Sequence, residues 1–493
     1  MEKAPLELER DNVELLPKES EARAAAICKG QAILNGFLFV CLLVSLLSTA
    51  DSPPTPAPRD GSRAACSGHG MLFDDAAACE CFDCWTGSTC SERLPDESEL
   101  CVVVANSGTP YIFEQYWVAH PEAAISIKPS YHIGYNPDMP RLEAAIRSMH
   151  ELVGNAVVDE TKHVVVGIGS TELINAALYA LADDVSAGEH PSSSPPSQRR
   201  QPAAVWTQTP FYSGYRSPPA YFRSRAFEWA WDADPNASTA VPPPTSAARR
   251  VIELVTSPNN PDGHLRVPVV SGAHSAVVMD HAYLWPHFVA TGAPPVDHVS
   301  NSTISLWTLS KVSGHASTRV GWAITSCPVL AARLTAFVRA ASYGAPRESQ
   351  LRAIAAIEHI VAHDGELFRV ARRLMLSRWR RLEDAFARHG ALVASTEGVL
   401  AASPAYRLEG RDAPAADAFS AETSYEASPA YAWVQKLDGG DCLAAMASVG
   451  IVARPGGQFG VSHDFVRLEL LMREQTFVIL LAKLDTLLGV ASG

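Results

Sequence analysis

The sequence predicts an α/β chain: a large domain around a mostly parallel central sheet, a smaller α+β domain after it, and a small disulfide-rich module in front. Three observations carry that expectation. Between about residues 163 and 325, short apolar β-rich runs alternate with helical stretches and end in polar or Gly/Pro clusters, the rhythm of strand–helix–strand units. From about residue 330 the pattern turns helical, then gives two strand-like pieces and a last helix from about Thr476. Six of the ten cysteines fall between Cys66 and Cys101. Composition agrees: 47% hydrophobic and 19% charged residues over 493 positions can bury a substantial core, which excludes a disordered chain. The formal charge of −13, with no compensating basic run, excludes a nucleic-acid footprint.

Residues 1–30 form a polar tail of mixed charge, and 31–50 hold an uncharged stretch with the core ILNGFLFVCLLVSLL. That core lies between the length of a signal-peptide core and that of a membrane span. Thirty residues ahead of it is long for a cleaved signal, so the expectation is a single-pass anchor with the rest of the chain in the endoplasmic reticulum or endomembrane lumen. The alternative is cleavage, with the product in the vacuole or secreted. A buried core helix fits less well, because the Pro-rich linker 51–64 (DSPPTPAP at its start) would tether it loosely. Residues 65–101 carry Cys66, Cys79, Cys81, Cys84, Cys90 and Cys101. An even count after a targeting segment reads as disulfides. Cys81-x-x-Cys84 is a possible zinc half-site, but the other spacings match no ordinary finger, and no metal is expected. Fifteen pairings remain open. Asn236-Ala-Ser238 and Asn301-Ser-Thr303 match the glycan acceptor pattern.

In the body, Leu142–Val157 has helical spacing. HVVVGIGSTELINAALYAL then reads as a buried strand, a Gly-rich turn and a helix. Gly169, Ser170 and Thr171 in that turn offer N–H groups and hydroxyls to an anion, although a tight strand-to-helix turn needs glycine in any case. Asp280 follows the apolar run AVVM and so ends a buried strand, where an unpaired carboxylate is costly and a protonated pyridine nitrogen would pair it. Tyr283 is three residues on, and Asn260 lies in the Pro-bounded turn SPNNPDG; both can hydrogen-bond a ring hydroxyl. Lys311 stands among Thr308, Ser310 and Arg319 in WTLSKVSGHASTRVGWA. A lysine condenses with an aldehyde, and hydroxyls and a guanidinium clasp a phosphate. Taken singly, each residue has an ordinary structural explanation; together, in this order along one sheet, they describe a site for a phosphorylated aldehyde cofactor. The strands YAW and VRLEL need carry no chemistry, since aromatic and β-branched residues are normal sheet formers.

The stretches VVGIGSTEL, SPNNPDG, MDHAYLWP and SKVSGHASTRVGWA resemble the plant alliinase and tryptophan-aminotransferase-related family of fold-type I pyridoxal-phosphate enzymes. CSGHG and CECFDCWTGSTC resemble the EGF-like module of alliinases. The resemblance spans about residues 60–490. It implies an EGF-like module at 65–101, an N-terminal arm and interface segment at 102–140, a large cofactor-binding domain at 141–340 and a small C-terminal domain at 341–493. It also implies pyridoxal 5′-phosphate as cofactor. Lys311 would hold it covalently and shuttle the substrate α-proton, and Asp280 would pair with the ring nitrogen. Asn260 and Tyr283 would bond the ring hydroxyl, and Tyr212 would stack on the ring. Gly169, Ser170, Thr171, Thr308, Ser310 and Arg319 would hold the phosphate. Arg467 would bind the substrate carboxylate, although a strand arginine can equally snorkel or pair with Glu469. Tyr135 would reach the other subunit's site in a homodimer with shared active sites.

The chain departs from the family at KPSYHIGY (128–135), NPDMPRLE and ANSGTPYIFEQYW, regions that line the family's substrate entrance. It also lacks a second cysteine pair, and Cys442 stands alone near the late strands. The resemblance implies transamination of an L-amino acid, with L-tryptophan giving indole-3-pyruvate and a 2-oxo acid as acceptor. The alternative is β-elimination of an S-alkyl-cysteine sulfoxide by a carbon–sulfur lyase, and a third reading is a non-catalytic luminal protein.

Overall fold

Val251–Thr256 (VIELVT) is buried along its whole length, as a strand covered on both faces must be. It belongs to a seven-stranded sheet in a computed structural model that describes residues 66–72, 79–95, 98, 100–130, 139–182, 201–230, 245, 249–290, 295–297, 300–389, 392–393, 405–408 and 427–492. The strands are β1 (His163–Gly167), β2 (Ala203–Trp206), β3 (Phe227–Trp229), β4 (Val251–Thr256), β5 (Ser275–Asp280), β6 (Thr303–Thr308) and β7 (Gly321–Thr325), in the order β1-β7-β6-β5-β4-β2-β3. All neighbours from β3 to β6 are parallel, and β7 runs antiparallel to both β6 and β1. The expected α/β class with a mostly parallel sheet is therefore the observed one.

Period-two alternation assigns the two faces. In β7, Trp322 and Ile324 join one apolar cluster while Ala323 joins the other. One cluster packs β1, β4 and β6 against the helices α1 (Gly169–Ala182) and α2 (Pro328–Ala341), through Leu173, Leu178, Leu330 and Leu334. The second, larger cluster holds Trp285, Trp307 and Trp322 and runs on into the C-terminal helices. His150 is fully buried inside it, its pKa lowered to about 4 by that burial. Its Nε2 accepts from Trp322 Nε1 at 3.0 Å, so Nδ1 carries the proton and donates to Asn155 Oδ1 at 2.8 Å.

Two helices differ from the sequence expectation, each because of a left-handed glycine. The helix expected to reach Val157 spans Pro140–Val153 and stops at Gly154, φ +68°. The long stretch from about Glu348 divides into α3 (Arg347–Ala362) and α4 (Glu366–Arg388), because Asp364 and Gly365 take φ of +50° and +66°. After them a five-stranded sheet forms from β8 (Leu392–Val393), β9 (Tyr406–Leu408), β10 (Tyr431–Lys436), β11 (Arg454–Pro455) and β12 (Phe465–Glu469), in the order β8-β9-β10-β12-β11. The chain closes with α5, Glu474–Ser492.

In front, strands of two or three residues (Gly70–Leu72 with Cys79–Cys81, Trp85–Thr86 with Glu92–Arg93) are too short to hold a core of their own. Disulfides Cys66–Cys79, Cys81–Cys90 and Cys84–Cys101 do that work and resolve the open pairing. Arg473 docks the module: its guanidinium lies 4.0 Å from the Phe82 ring and 3.7 Å from that of Tyr111, and Nε donates to Glu114 at 3.0 Å. Just past the last cysteine, Val103–Val104 pairs in parallel with Ile451–Val452. Cys327 and Cys442 are buried free thiols. Among the described residues no helix is long and apolar enough to cross a membrane. The expected anchor 31–50, Tyr135 and Asn236 lie outside the described residues, and Asn301 is exposed.

Candidate active site

Ligands of open α/β sheets gather beyond the carboxyl ends of the strands. Here β4, β5 and β6 end on Thr256, Asp280 and Thr308, which share one cavity of about 290 Å³. The side chains around it divide by chemistry into four groups.

At one end are hydroxyls and positive charge. Ser170 and Thr171 open α1, where unpaired backbone N–H groups face the cavity. Glu172 folds back to accept from the Ile168 N–H at 2.6 Å and holds the turn. Thr308 caps the helical turn Leu309–Val312 by accepting from the Ser310 N–H at 3.2 Å, and its hydroxyl donates to Ser310 Oγ at 3.1 Å. Arg319, itself left-handed at φ +55°, reaches back over the start of α1. Gly169 makes that approach possible: its φ is +69°, and a Cβ there would stand 2.6 Å from Arg319 Nη2.

Asp280 is 3% exposed. Its Oδ1 accepts from the Ala282 N–H at 3.1 Å and its Oδ2 from the Tyr215 hydroxyl at 3.2 Å. Burial outweighs both bonds and raises its pKa to about 6. Such a carboxylate calls for a cation, and no lysine or arginine pairs with it among the described ion pairs. Tyr212 lines the cavity nearby, and its ring occupies the space a Cβ on Gly214 would need.

Lys311 projects from the single turn after β6 and donates from Nζ to Gly108 O. Tyr283 lies beneath it, with its ring centroid 5.9 Å from Nζ, and shares a 2.7 Å hydrogen bond with the Tyr431 hydroxyl. Desolvation pushes the Tyr283 phenol well above its ordinary pKa.

Arg467, in β12, is 1% exposed, so it does not snorkel. Nη1 donates to Asn260 Oδ1 at 3.0 Å, and Nη2 donates to Asn106 O at 3.0 Å and to Ser107 O. The guanidinium carbon lies 3.8 Å from the Tyr431 ring centroid. Glu469, two residues on, accepts from Ser107 Oγ at 2.5 Å.

The cavity thus brings together Ser170, Thr171, Tyr212, Asn260, Asp280, Tyr283, Thr308, Ser310, Lys311, Arg319 and Arg467, with Gly169 behind the guanidinium of Arg319. It also includes residues that sequence reasoning missed. Gly108, Tyr431 and Arg454 line it, and Tyr431 sits in the YAW strand, whose sequence signals sheet alone. The only local signals were ordinary ones, an Asn-Ser-Gly turn and a strand tyrosine. The donor set fits a phosphorylated pyridine: an anion cradle at one end, an unpaired buried carboxylate for a ring cation, and a lysine between.

The family model described as Allinase matches residues 103–488. Tryptophan aminotransferase-related protein 3 of Arabidopsis thaliana is 30% identical over 476 residues, covering 92% of this chain and 95% of the relative. Alliin lyase 2 of Allium sativum is 29% identical over 428 residues, covering 84% and 83%. An aminotransferase from Staphylococcus aureus superposes with a TM-score of 0.55 at 16% identity, covering 79% of this chain and 94% of that one, a likeness of fold alone.

Proposed function

Because the chain belongs to the alliinase family, we propose that it is an aminotransferase taking an L-amino acid, L-tryptophan, to indole-3-pyruvate with a 2-oxo acid as acceptor. That it is a pyridoxal-phosphate-dependent enzyme, an aminotransferase or a carbon–sulfur lyase, follows from the family itself. The buried Arg467 in one cavity with Lys311 supports an α-amino-acid substrate, and the relative at 30% identity over 92% of the chain favours transamination. Transamination binds an amino acid and a 2-oxo acid in turn, and both present the same carboxylate to a planar guanidinium. The relative covering 92% of the chain is named for tryptophan transamination, which supports the substrate.

In this reading the phosphate is held by the N–H groups at Gly169, by Ser170, Thr171, Thr308 and Ser310, and by Arg319. Asp280 pairs with the ring nitrogen, Asn260 and Tyr283 take the ring hydroxyl, Tyr212 covers a ring face, and Lys311 is the point of attachment. When bound, the cofactor's protonated ring withdraws the electrons left behind as the substrate's α-C–H bond breaks. Arg467 fixes the substrate carboxylate and thereby the direction of that bond. Lys311 Nζ accepts the α-proton and returns it, and Gly108 O orients the amine by taking one of its N–H groups. Asp280 stays ionised beside the ring cation, and the low dielectric around it strengthens the pairing.

The reading takes 141–340 as the cofactor domain and 341–493 as the small domain, a homodimer in which Tyr135 reaches the partner's site, and glycans on Asn236 and Asn301. Three disulfides imply an oxidising secretory or vacuolar compartment. The proposed anchor is 31–50. The six-cysteine module and the alliin lyase relative favour a second reading, β-elimination of a cysteine sulfoxide. Both reactions begin with the same proton removal and diverge when the substrate's β-carbon bears a leaving group.

One pair of incubations separates them: purified enzyme with L-tryptophan plus a 2-oxo acid, and with S-alkyl-cysteine sulfoxide alone. Indole-3-pyruvate in the first is the expected result. Pyruvate in the second with no product in the first replaces it with the lyase, and neither product leaves the non-catalytic luminal protein.

A further inference from the structure

Away from the cavity, His120, Glu122 and His359 bring ligand atoms within 4.8 Å of one another. They come from two pieces of chain. His120 follows the short helix Glu114–Ala119, Glu122 sits in the turn Pro121–Ala123, and His359 lies in the last turn of α3. Nothing in the reaction uses them.

Both imidazoles are oriented by one residue. His120 Nδ1 stands 2.8 Å from Tyr116 O, which can only accept, so Nδ1 carries the proton and the Nε2 lone pair is free for another bond. His359 Nε2 meets the Tyr116 hydroxyl at 3.1 Å, and its Nδ1 faces Glu122 Oε1 at 3.6 Å. On the other side His120 Nε2 faces Glu366 Oε2 at 3.9 Å. Each ring therefore uses one nitrogen on Tyr116 and turns the other to a carboxylate, as metal-binding histidines are commonly held from behind.

The two imidazole–carboxylate gaps, 3.6 and 3.9 Å, are too long for direct hydrogen bonds. Ligands held tetrahedrally at about 2.0–2.2 Å from zinc stand about 3.3–3.6 Å from one another, so the His359–Glu122 separation already suits an ion between them. Mixed nitrogen and oxygen donors suit zinc, whereas magnesium and calcium prefer oxygen alone. We propose that His120 Nε2, His359 Nδ1 and a Glu122 oxygen bind a zinc ion, with water completing the tetrahedron. The exposed Glu122 leaves the site open to solvent, and Glu366 adds a second negative charge beside His120.

The ion's role is to brace the arm. Trp117, between the cluster and the active site, donates from Nε1 to Ser313 O at 2.7 Å, two residues past Lys311, and packs against His359 at 5.5 Å. Zinc fastens this arm to α3 behind the turn that carries the lysine.

The test uses the tag-free, cofactor-loaded protein, stripped with a chelator and titrated with Zn²⁺ by calorimetry and with Co²⁺ by visible absorption. One equivalent binds, Zn²⁺ raises the thermal midpoint, and Co²⁺ gives a tetrahedral spectrum. Glu122→Gln and His120→Gln each weaken binding at least about tenfold, by the scale of perturbed metal sites. His163→Gln, at an exposed histidine elsewhere, leaves it unchanged. If His120→Gln does not fold, the exposed Glu122→Gln decides the matter alone. A wild type that binds no zinc, or variants that bind as the wild type does, overturns the proposal.

Discussion

Tyr283 and Tyr431 stand 148 residues apart and share a buried 2.7 Å hydroxyl–hydroxyl hydrogen bond, which joins the loop after β5 to the small sheet across the cavity. Tyr431 also lies under the Arg467 guanidinium, so one ring touches both the lysine end and the carboxylate end of the site. Tyr431→Phe keeps that ring and deletes only the hydroxyl. We expect a loss of about 1 kcal/mol, near fivefold in kcat/KM, from removing one partner of a buried bond. Steady-state kinetics with an unchanged kcat/KM would show that the hydroxyl pair is idle.

Arg467→Lys keeps the charge and gives up the planar fork. The substrate carboxylate loses its paired N–H donors, and Asn260 and the carbonyls of Asn106 and Ser107 lose theirs. Hydrogen bonds to charged groups are worth about 1.5–3 kcal/mol, so KM should rise roughly 10- to 150-fold for amino acid and 2-oxo acid alike. A rise confined to one of the two reactants would mean that they do not share this arginine.

Asp280 makes the stability of the cofactor-free protein depend on pH. The folded state holds its proton up to about pH 6, while the unfolded chain releases it near 3.8. Between those values the folded state binds more protons, so stability falls as pH rises through this window and stays low above it. At about 1.4 kcal/mol per pKa unit the loss is on the order of 3 kcal/mol. Asp280→Asn removes this slope, and the variant should be the more stable protein at pH 7 without cofactor but bind cofactor more weakly. Denaturant unfolding of both proteins from pH 4 to 8 measures the difference, and a difference constant with pH contradicts the assignment.

The Cys84–Cys101 bond closes a 17-residue separation and ends beside the first strand of the body. Chain-entropy arguments give such a loop about 3 kcal/mol. The double variant Cys84→Ser with Cys101→Ser should open to protease within 66–101 well before the body is cut. Equal resistance to proteolysis would show that the other two disulfides and the Arg473 contacts suffice to hold the module.

What the sequence revealed about the site depended on distance along the chain. Asp280 and Lys311 were legible because their environment is local: a carboxylate straight after AVVM must end a buried strand, and a lysine among hydroxyls marks a turn after one. Gly108 and Tyr431 were not, since each gains its place through a partner far off, Lys311 at a separation of 203 residues and Tyr283 at 148. Arg467 was legible as a strand residue and undecided as a site residue until burial excluded snorkelling. The break in the long C-terminal helix stayed hidden because helical periodicity continues through His-Asp-Gly, and only the left-handed pair Asp364–Gly365 turns the chain. Disulfide partners could not be read at all, because close spacing leaves many pairings sterically open.

Gly108, whose carbonyl accepts a hydrogen bond from Lys311 Nζ, lies seven positions after Cys101. A run that short has little slack once its start is tied covalently to Cys84 and its next residues are laddered to Ile451–Val452. The module therefore acts as a mooring for the segment that lies across the lysine. Where thiols stay reduced the covalent end of that mooring is lost, and the ladder to Ile451–Val452 and the Arg467 bonds to Asn106 and Ser107 are left to hold the carbonyl at the amine. Oxidising surroundings thereby tighten a segment of the active site as well as the module's own fold.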